Sequence, residues 1–137
     1  MRRVVLIACG NRKRGTATAA ADLYVGSLFR YSLAYARSLK PNDIFVLSAR
    51  HGLLSLDRII EPYNETLNGK SSAEITAWAD KTLNQLAKLC DLEKDEMVVL
   101  AGDKYRKYLI PKMRNARIPL KGLPIGKQLQ FLKNATS

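Results

Sequence analysis

Cys9 and Lys13 share a short glycine-containing loop, and His51 is the only histidine of the chain. These are the residue types here that could do covalent or acid–base chemistry. Cys9 has two readings. As a small buried hydrophobe it needs no function; as a nucleophile it needs its thiolate stabilised by Lys13, Arg12 or a helix N-terminus. Lys13 is a solvated charge, a phosphate contact or, if desolvated, an amine nucleophile. His51, in Arg50-His51-Gly52, is either an exposed loop residue or a general base working near neutral pH. Tyr63 follows Pro62 in a long loop, where its ring could stack on a base.

The loop Cys9-Gly10-Asn11-Arg12-Lys13-Arg14-Gly15-Thr16 contains G-x-x-x-x-G, but Thr16 stands where a P-loop needs Lys. It also lacks the G-x-G-x-x-G of a dinucleotide fold. What remains is a turn at Gly10 with Arg12, Lys13 and Arg14 ahead of a helix N-terminus. Side-chain charge, backbone amides and helix dipole together could hold an anion there. A plain basic loop fits the same residues.

An alternation of strands and helices must position these groups. Arg3 to Ala8 reads as a first strand. Leu28, Tyr31, Tyr35 and Leu39 recur at helical spacing, so Asp22 to Leu39 reads as a helix closed by Pro41. Tyr24, Tyr31 and Tyr35 share that spacing and read as core. Asp43 to Ser48 is an apolar strand buried on both faces, and Arg50 to Lys70 a long connection. Ser71-Ser72-Ala73-Glu74 is a capping box. It opens a helix with Ile75, Trp78, Ala79, Thr82, Leu86 and Leu89 on one stripe and Cys90 beside it. Glu96 to Ala101 is a third strand, and Asp103 caps a basic, Tyr-rich helix to about Met113. Ile118 to Leu120 fits a short fourth strand and Ile125 to Leu132 a last helix.

This order predicts an α/β fold: one three-layer domain over residues 1–137, with a short, mainly parallel sheet of three to four strands flanked by helices. Ligands in such sheets bind outside the carboxyl ends of the strands. Cys9-Gly10, Ser48-Ala49 and Gly102-Asp103 are then expected to meet in one pocket.

The net charge of +11 is unevenly laid out. Residues 1–50 carry nine Lys/Arg against two acids, residues 51–100 five against nine, and residues 101–137 nine against one. Two basic ends around an acidic middle favour a polyanionic or phosphate-bearing partner; solvated surface lysines are the bland alternative. Arg12, Arg14, Lys104, Arg106, Lys107, Lys112 and Arg114 are the candidate nucleic-acid contacts. With 47% hydrophobic residues, disorder is not expected. No apolar run reaches the ~20 residues of a membrane span, and the apolar stretch after Met1-Arg2-Arg3 is too short for a signal peptide. A cytoplasmic protein is expected. Two cysteines are too few for a disulfide framework, and a single histidine makes a His/Cys zinc site improbable. Neither a metal nor a cofactor is expected.

Five motifs carry a resemblance over nearly the whole chain: Cys9-Gly10-x-x-Lys13, Asp22-Leu23-Tyr24-x-Gly26-Ser27-Leu28-Phe29, Ser48-Ala49-x-x-Gly52-Leu53-Leu54, Pro62-Tyr63-Asn64-x-Thr66-Leu67 and Gly122-Leu123-Pro124-Ile125-Gly126-Lys127. In this order they resemble a family of small, largely uncharacterised bacterial and phage proteins. More distantly the chain is similar to the peroxide-stress YaaA-like proteins and to the central domain of archaeosine synthase, which acts on a 7-deazaguanine base in tRNA through a lysine. The resemblance implies that Lys13 is the reactive amine. Gly10, Tyr24, Ser48, Gly52, Tyr63 and Asn64 of these motifs, with Gly102 at the end of the third strand, are the candidate ligand contacts. Relatives carry Asp after the Pro-Tyr pair, where this chain has Asn64; an amide cannot serve as a base, so an altered or absent activity is implied if that carboxylate is catalytic.

Two functions follow. One is a nucleobase- or nucleotide-processing enzyme, glycosylase- or lyase-like and acting in DNA or RNA base modification, with Lys13, His51 and Cys9 as catalytic residues. The other is a non-catalytic basic DNA- or RNA-binding protein. The sequence leaves the base, the bond, the choice of polymer or monomer and the oligomeric state open.

Overall fold

A computed structural model describes residues 1–136. In chain order its strands are β1 (Arg3–Ala8), β2 (Thr18–Ala19), β3 (Asp43–Ser48), β4 (Gly52–Ser55), β5 (Ile59–Ile60), β6 (Glu96–Leu100) and β7 (Asn115–Arg117). The helices are α1 (Ala20–Leu23), α2 (Ser27–Ser38), α3 (Ser72–Ala87), α4 (Asp103–Arg106) and α5 (Ile125–Thr136), with a 3-10 turn at Ile110–Lys112.

The protein is an α/β fold around a mainly parallel five-stranded sheet of order β4-β3-β1-β6-β7. β1 lies parallel between β3 and β6, with Ile7 opposite both Val46 and Leu100. Successive side chains of a strand point to opposite faces, and the core divides accordingly. Val4, Leu6, Phe45, Leu47, Met97 and Val99 pack with Ile75, Trp78, Ala79, Leu83 and Leu86 of α3. Val5, Ile7, Val46, Val98 and Leu100 pack with Phe29, Leu33 and Ala36 of α2 and Leu132 of α5. Apolar residues on both sides of each central strand explain why the strands read as unbroken runs.

The Ser71 capping box forms as expected: the Ser71 hydroxyl accepts from the Glu74 amide at 3.2 Å, and a Glu74 carboxylate oxygen accepts from the Ser71 amide at 3.1 Å. Other expectations need correction. The sheet has five strands rather than three to four. Gly52–Ser55, inside the supposed connection, turns back as β4, antiparallel to β3. A four-residue strand beginning in glycine gives no alternation to read. Ile59–Ile60 of the same connection pairs with Thr18–Ala19. The edge strand after α4 is Asn115–Arg117, not Ile118 to Leu120; its mostly polar residues are held parallel to β6 by backbone pairing and by the Arg117–Glu96 ion pair. The basic helix from Asp103 ends at Arg106 rather than near Met113, and Gly102, not Asp103, is its cap residue. Leu89 lies past the end of α3 and is exposed, while Cys90 is half-buried against the core.

The expected helix 22–39 is in fact two helices. Tyr24 takes an extended conformation (φ −86°, ψ 119°) and forms an antiparallel bridge with Lys13. Leu23 O accepts from Arg14 N, and Arg12 O accepts from Val25 N, both at 2.9 Å. Tyr24 and Leu28 keep helical spacing across this break, so periodicity could not reveal it.

At the amino edge of the sheet, Glu96 is buried between Arg3 (2.5 Å) and Arg117 (2.8 Å), and Arg2 pairs with Asp43. Three of the arginines at the two basic ends therefore serve the fold.

Candidate active site

The carboxyl ends of β1, β3 and β6 lie side by side, so Cys9, Ser48 and Gly102 emerge along one edge. The Cys9 amide extends the ladder by donating to Leu47 O at 2.9 Å. Just beyond, the Lys13–Tyr24 bridge folds the basic loop over the sheet. Two neighbouring groups of residues result.

The first is a buried hydroxyl cluster under a lysine. The Tyr63 hydroxyl lies 2.6 Å from that of Tyr24 and 2.7 Å from Ser48 Oγ. Ser48 Oγ also accepts from the His51 amide at 3.1 Å, and the Trp78 indole donates to Ser48 O at 2.8 Å. Tyr24, Ser48 and Tyr63 are almost completely removed from solvent. Burial, the first cause, pushes the Tyr24 phenol up to about 12 and the Tyr63 phenol well above the ordinary tyrosine range, so both stay neutral. Lys13 Nζ lies over the Tyr63 ring, 4.5 Å from its centre, and 5.7 Å from that of Tyr24. Its one hydrogen bond is a long one of 3.5 Å to Asn11 O. Among the described residues no carboxylate pairs with it. Burial lowers the Lys13 ammonium below the usual lysine value, and the neighbouring Cys9 acts the other way.

The second group is a cleft of about 480 Å³ lined by Ala8, Cys9, Gly10, Asn11, Arg12, the start of α2 from Gly26 to Phe29, Thr66, Asn68 and the segment Gly102 to Tyr105. Its volume lies within the roughly 300–1,000 Å³ of small-molecule sites. A narrower recess of about 70 Å³ continues inward between β1, β6, α2 and α5, sharing Cys9, Gly10, Phe29 and Gly102 with the cleft. Cys9 is half-buried on this wall, and its Sγ lies 3.4 Å from the Tyr105 hydroxyl. Tyr105 packs edge-on against Trp78 at 5.5 Å, and burial raises its phenol above the ordinary range. The loop between Tyr63 and Asn68 connects the two groups.

The expected site residues divide between these places. Cys9, Gly10, Arg12, Gly102 and Lys104 line the cleft. Lys13, Tyr24, Ser48 and Tyr63 form the hydroxyl cluster; Tyr24 and Ser48 are fully buried within it. His51 is half-buried beside that cluster, its ring edge-on to Tyr63 with centres 5.6 Å apart. Burial first, then the charges of Arg58, Arg50 and Lys81 hold the imidazole below its usual value, partly offset by Glu65. Gly52 closes the β3–β4 turn at φ +76°, where a Cβ would stand 2.3 Å from Gln85 Oε1. That oxygen accepts from the Leu53 amide at 2.9 Å, and Gln85 Nε2 donates to His51 O at 3.2 Å. The glycine therefore serves the turn. Asn64 is exposed.

The candidate nucleic-acid contacts do not all lie together. Arg12 and Lys104 face the cleft, and Arg14 is tied to Asp22 O by its guanidinium at 2.8 Å. Arg106 donates to Ala101 O at 2.8 Å, and Lys107 lies over the Tyr108 ring. Arg114 pairs with Glu93 at 3.7 Å and directly precedes β7, which starts opposite Glu96 at the other edge of the sheet. Lys112 ends the 3-10 turn before it.

Gly26, Ser27 and Thr66 lie in the motifs but are not among the expected site residues, and Asp103 was expected only as part of a strand-end turn; Asn11, Asn68 and Tyr105 were missed. Position just past a strand end could have found Asn11 and Tyr105. Among the described residues no helix is long and apolar enough to cross a membrane, and no three His, Cys, Asp or Glu side chains gather as metal ligands.

No curated protein and no solved structure matches the chain. Residues 4–134 match the model of a family of unknown function, DUF6884, and the chain belongs to that family.

Proposed function

We propose that this protein is a nucleobase- or nucleotide-processing enzyme, glycosylase- or lyase-like, that uses Lys13 as an amine nucleophile. One observation carries the reading: the Lys13 ammonium is pressed against Tyr63 without a carboxylate partner, and burial lowers its pKa. An amine that loses its proton more readily than an ordinary lysine is a competent nucleophile. The resemblance to the lysine-dependent domain of archaeosine synthase points the same way, as does the adjacent cleft.

In this reading Nζ attacks C1′ of a bound nucleoside unit. The C1′–N bond breaks with its electron pair going to the base, and the proton that Nζ sheds balances the one the base nitrogen acquires. Opening of the sugar at C1′–O4′ then yields an imine on Lys13. Water hydrolyses it to the sugar aldehyde and the free amine. The neutral phenols of Tyr24 and Tyr63 hold the lysine without supplying charge. His51, kept neutral near pH 7 by burial and three cations, can take up a proton. A three-layer arrangement and a cytoplasmic location belong to the same proposal.

The test is product analysis. The protein is incubated with nucleosides, nucleotides and single- and double-stranded oligonucleotides, and released base is measured by mass spectrometry. Release by the native chain and none by Lys13→Ala supports the reading. Equal release by both, or none from any substrate class, overturns it.

A further inference from the structure

The cleft beside Lys13 carries recognition chemistry of its own. Arg12 and Lys104 stand on its wall, both exposed, and neither forms an ion pair among the described residues. Asp103 stands next to Lys104 and is likewise exposed and unpaired. Phe29 and Tyr105 give the same space apolar and aromatic surface, and Asn11 and Asn68 add amides. Two further wall positions are glycines, the cap residues of α2 and α4. Gly26 and Gly102 both have φ −70°, which any residue adopts, and a Cβ on either would meet nothing within 4 Å. A side chain at either position would stand in open space on the cleft wall. Its absence leaves backbone free for a ligand to approach closely.

We propose that the cleft binds a free nucleoside monophosphate, so that the substrate is a monomer rather than a nucleic-acid strand. This rests on the proposed function and names its substrate class. The two cations match a phosphate, the Asp103 carboxylate accepts from the sugar hydroxyls, and the aromatic wall with its amides meets the base. A strand would need cations continuing beyond the cleft. Arg114 and Arg117 instead pair with Glu93 and Glu96, and Arg106 is committed to Ala101 O. The wall of the cleft itself carries two cations, Arg12 and Lys104, with Lys13 beside it, rather than an extended stripe.

Calorimetric titration of the full chain tests this with AMP, GMP, CMP and UMP, the four matching nucleosides, inorganic phosphate, and a single-stranded 12-mer RNA and DNA. The expected result is that at least one monophosphate binds at least about tenfold more tightly than its nucleoside and than either 12-mer. Arg12→Gln and Lys104→Gln each weaken it by about tenfold, or about 1.4 kcal/mol. Gly26→Val abolishes binding while the protein stays folded, its unfolding midpoint lowered only by the poorer cap of α2. No binding of any monophosphate, equal affinity for nucleoside and monophosphate, or tighter binding of a 12-mer overturns the proposal. Lys13-dependent base release from an oligonucleotide alone would leave the proposed function standing and sink this inference. Monophosphate binding without Lys13-dependent turnover would do the reverse.

Discussion

The hydroxyls of Tyr24 and Tyr63, 39 residues apart in the chain, meet at 2.6 Å in the interior, and Lys13 covers the outer face of the Tyr63 ring. The same Tyr63 hydroxyl also contacts Ser48 Oγ at the end of β3. Loop, helix break and strand end are thus locked to one another beneath the candidate nucleophile.

Tyr63→Phe removes the shared hydroxyl and keeps the ring. It leaves Tyr24 and Ser48 short of a buried partner, a loss of about 1–3 kcal/mol. Denaturant unfolding should show that drop. Tyr63→Leu should in addition lose the support of Lys13 and reduce turnover further. Equal turnover in the two variants would mean that the ring face does nothing for the lysine.

Leu86 is fully buried between α3 and the sheet. Leu86→Ala should cost on the order of 2–5 kcal/mol. An unchanged unfolding midpoint would contradict the packing described for α3.

Gly52→Ala places a Cβ at positive φ and against the Gln85 amide that clips the β3–β4 turn. A loss of about 1–3 kcal/mol is expected, with Gln85→Ala recovering the part due to the clash. If Gly52→Ala is neutral in denaturant unfolding, the turn has another conformation.

His51 has a folded-state pKa below its unfolded value of about 6.5. Between those two values the unfolded chain binds the extra proton. The stability tied to His51 is therefore fully present above about pH 6.5 and is lost as pH falls through the folded pKa. Thermal unfolding followed from pH 7.5 to 5 should show a decline that His51→Gln lessens. An equally steep decline in His51→Gln would assign it to other groups.

The strands that carry the site were legible because β1, β3 and β6 are apolar on both faces, and with them the expectation that Cys9, Ser48 and Gly102 share an edge. The capping box located the start of α3 to the residue. The break at Tyr24 was not legible, because its cause is a bridge to Lys13 from outside the helical pattern. β4 and β7 escaped notice for a related reason: short edge strands are specified by a neighbour's backbone, not by their own alternation. At the site, residue types singled out Lys13 and Cys9. They could not show that Tyr24 and Ser48 meet in a buried cluster through Tyr63, since burial of a tyrosine depends on what crosses above it. Nor could they show that the basic C-terminal segment runs from one edge of the sheet to the other, which scatters charges that look clustered in sequence.

Covalent capture of Lys13 tests the central claim most directly. The protein is incubated with the substrate class that releases base, treated with sodium borohydride, digested, and mapped by mass spectrometry. Reduction of the imine should leave a stable sugar adduct on the peptide carrying Lys13, forming faster as pH rises toward the lowered pKa of its ammonium, and absent from Lys13→Arg. Base release with no adduct on Lys13, or an adduct on another lysine that persists in Lys13→Arg, would contradict the account.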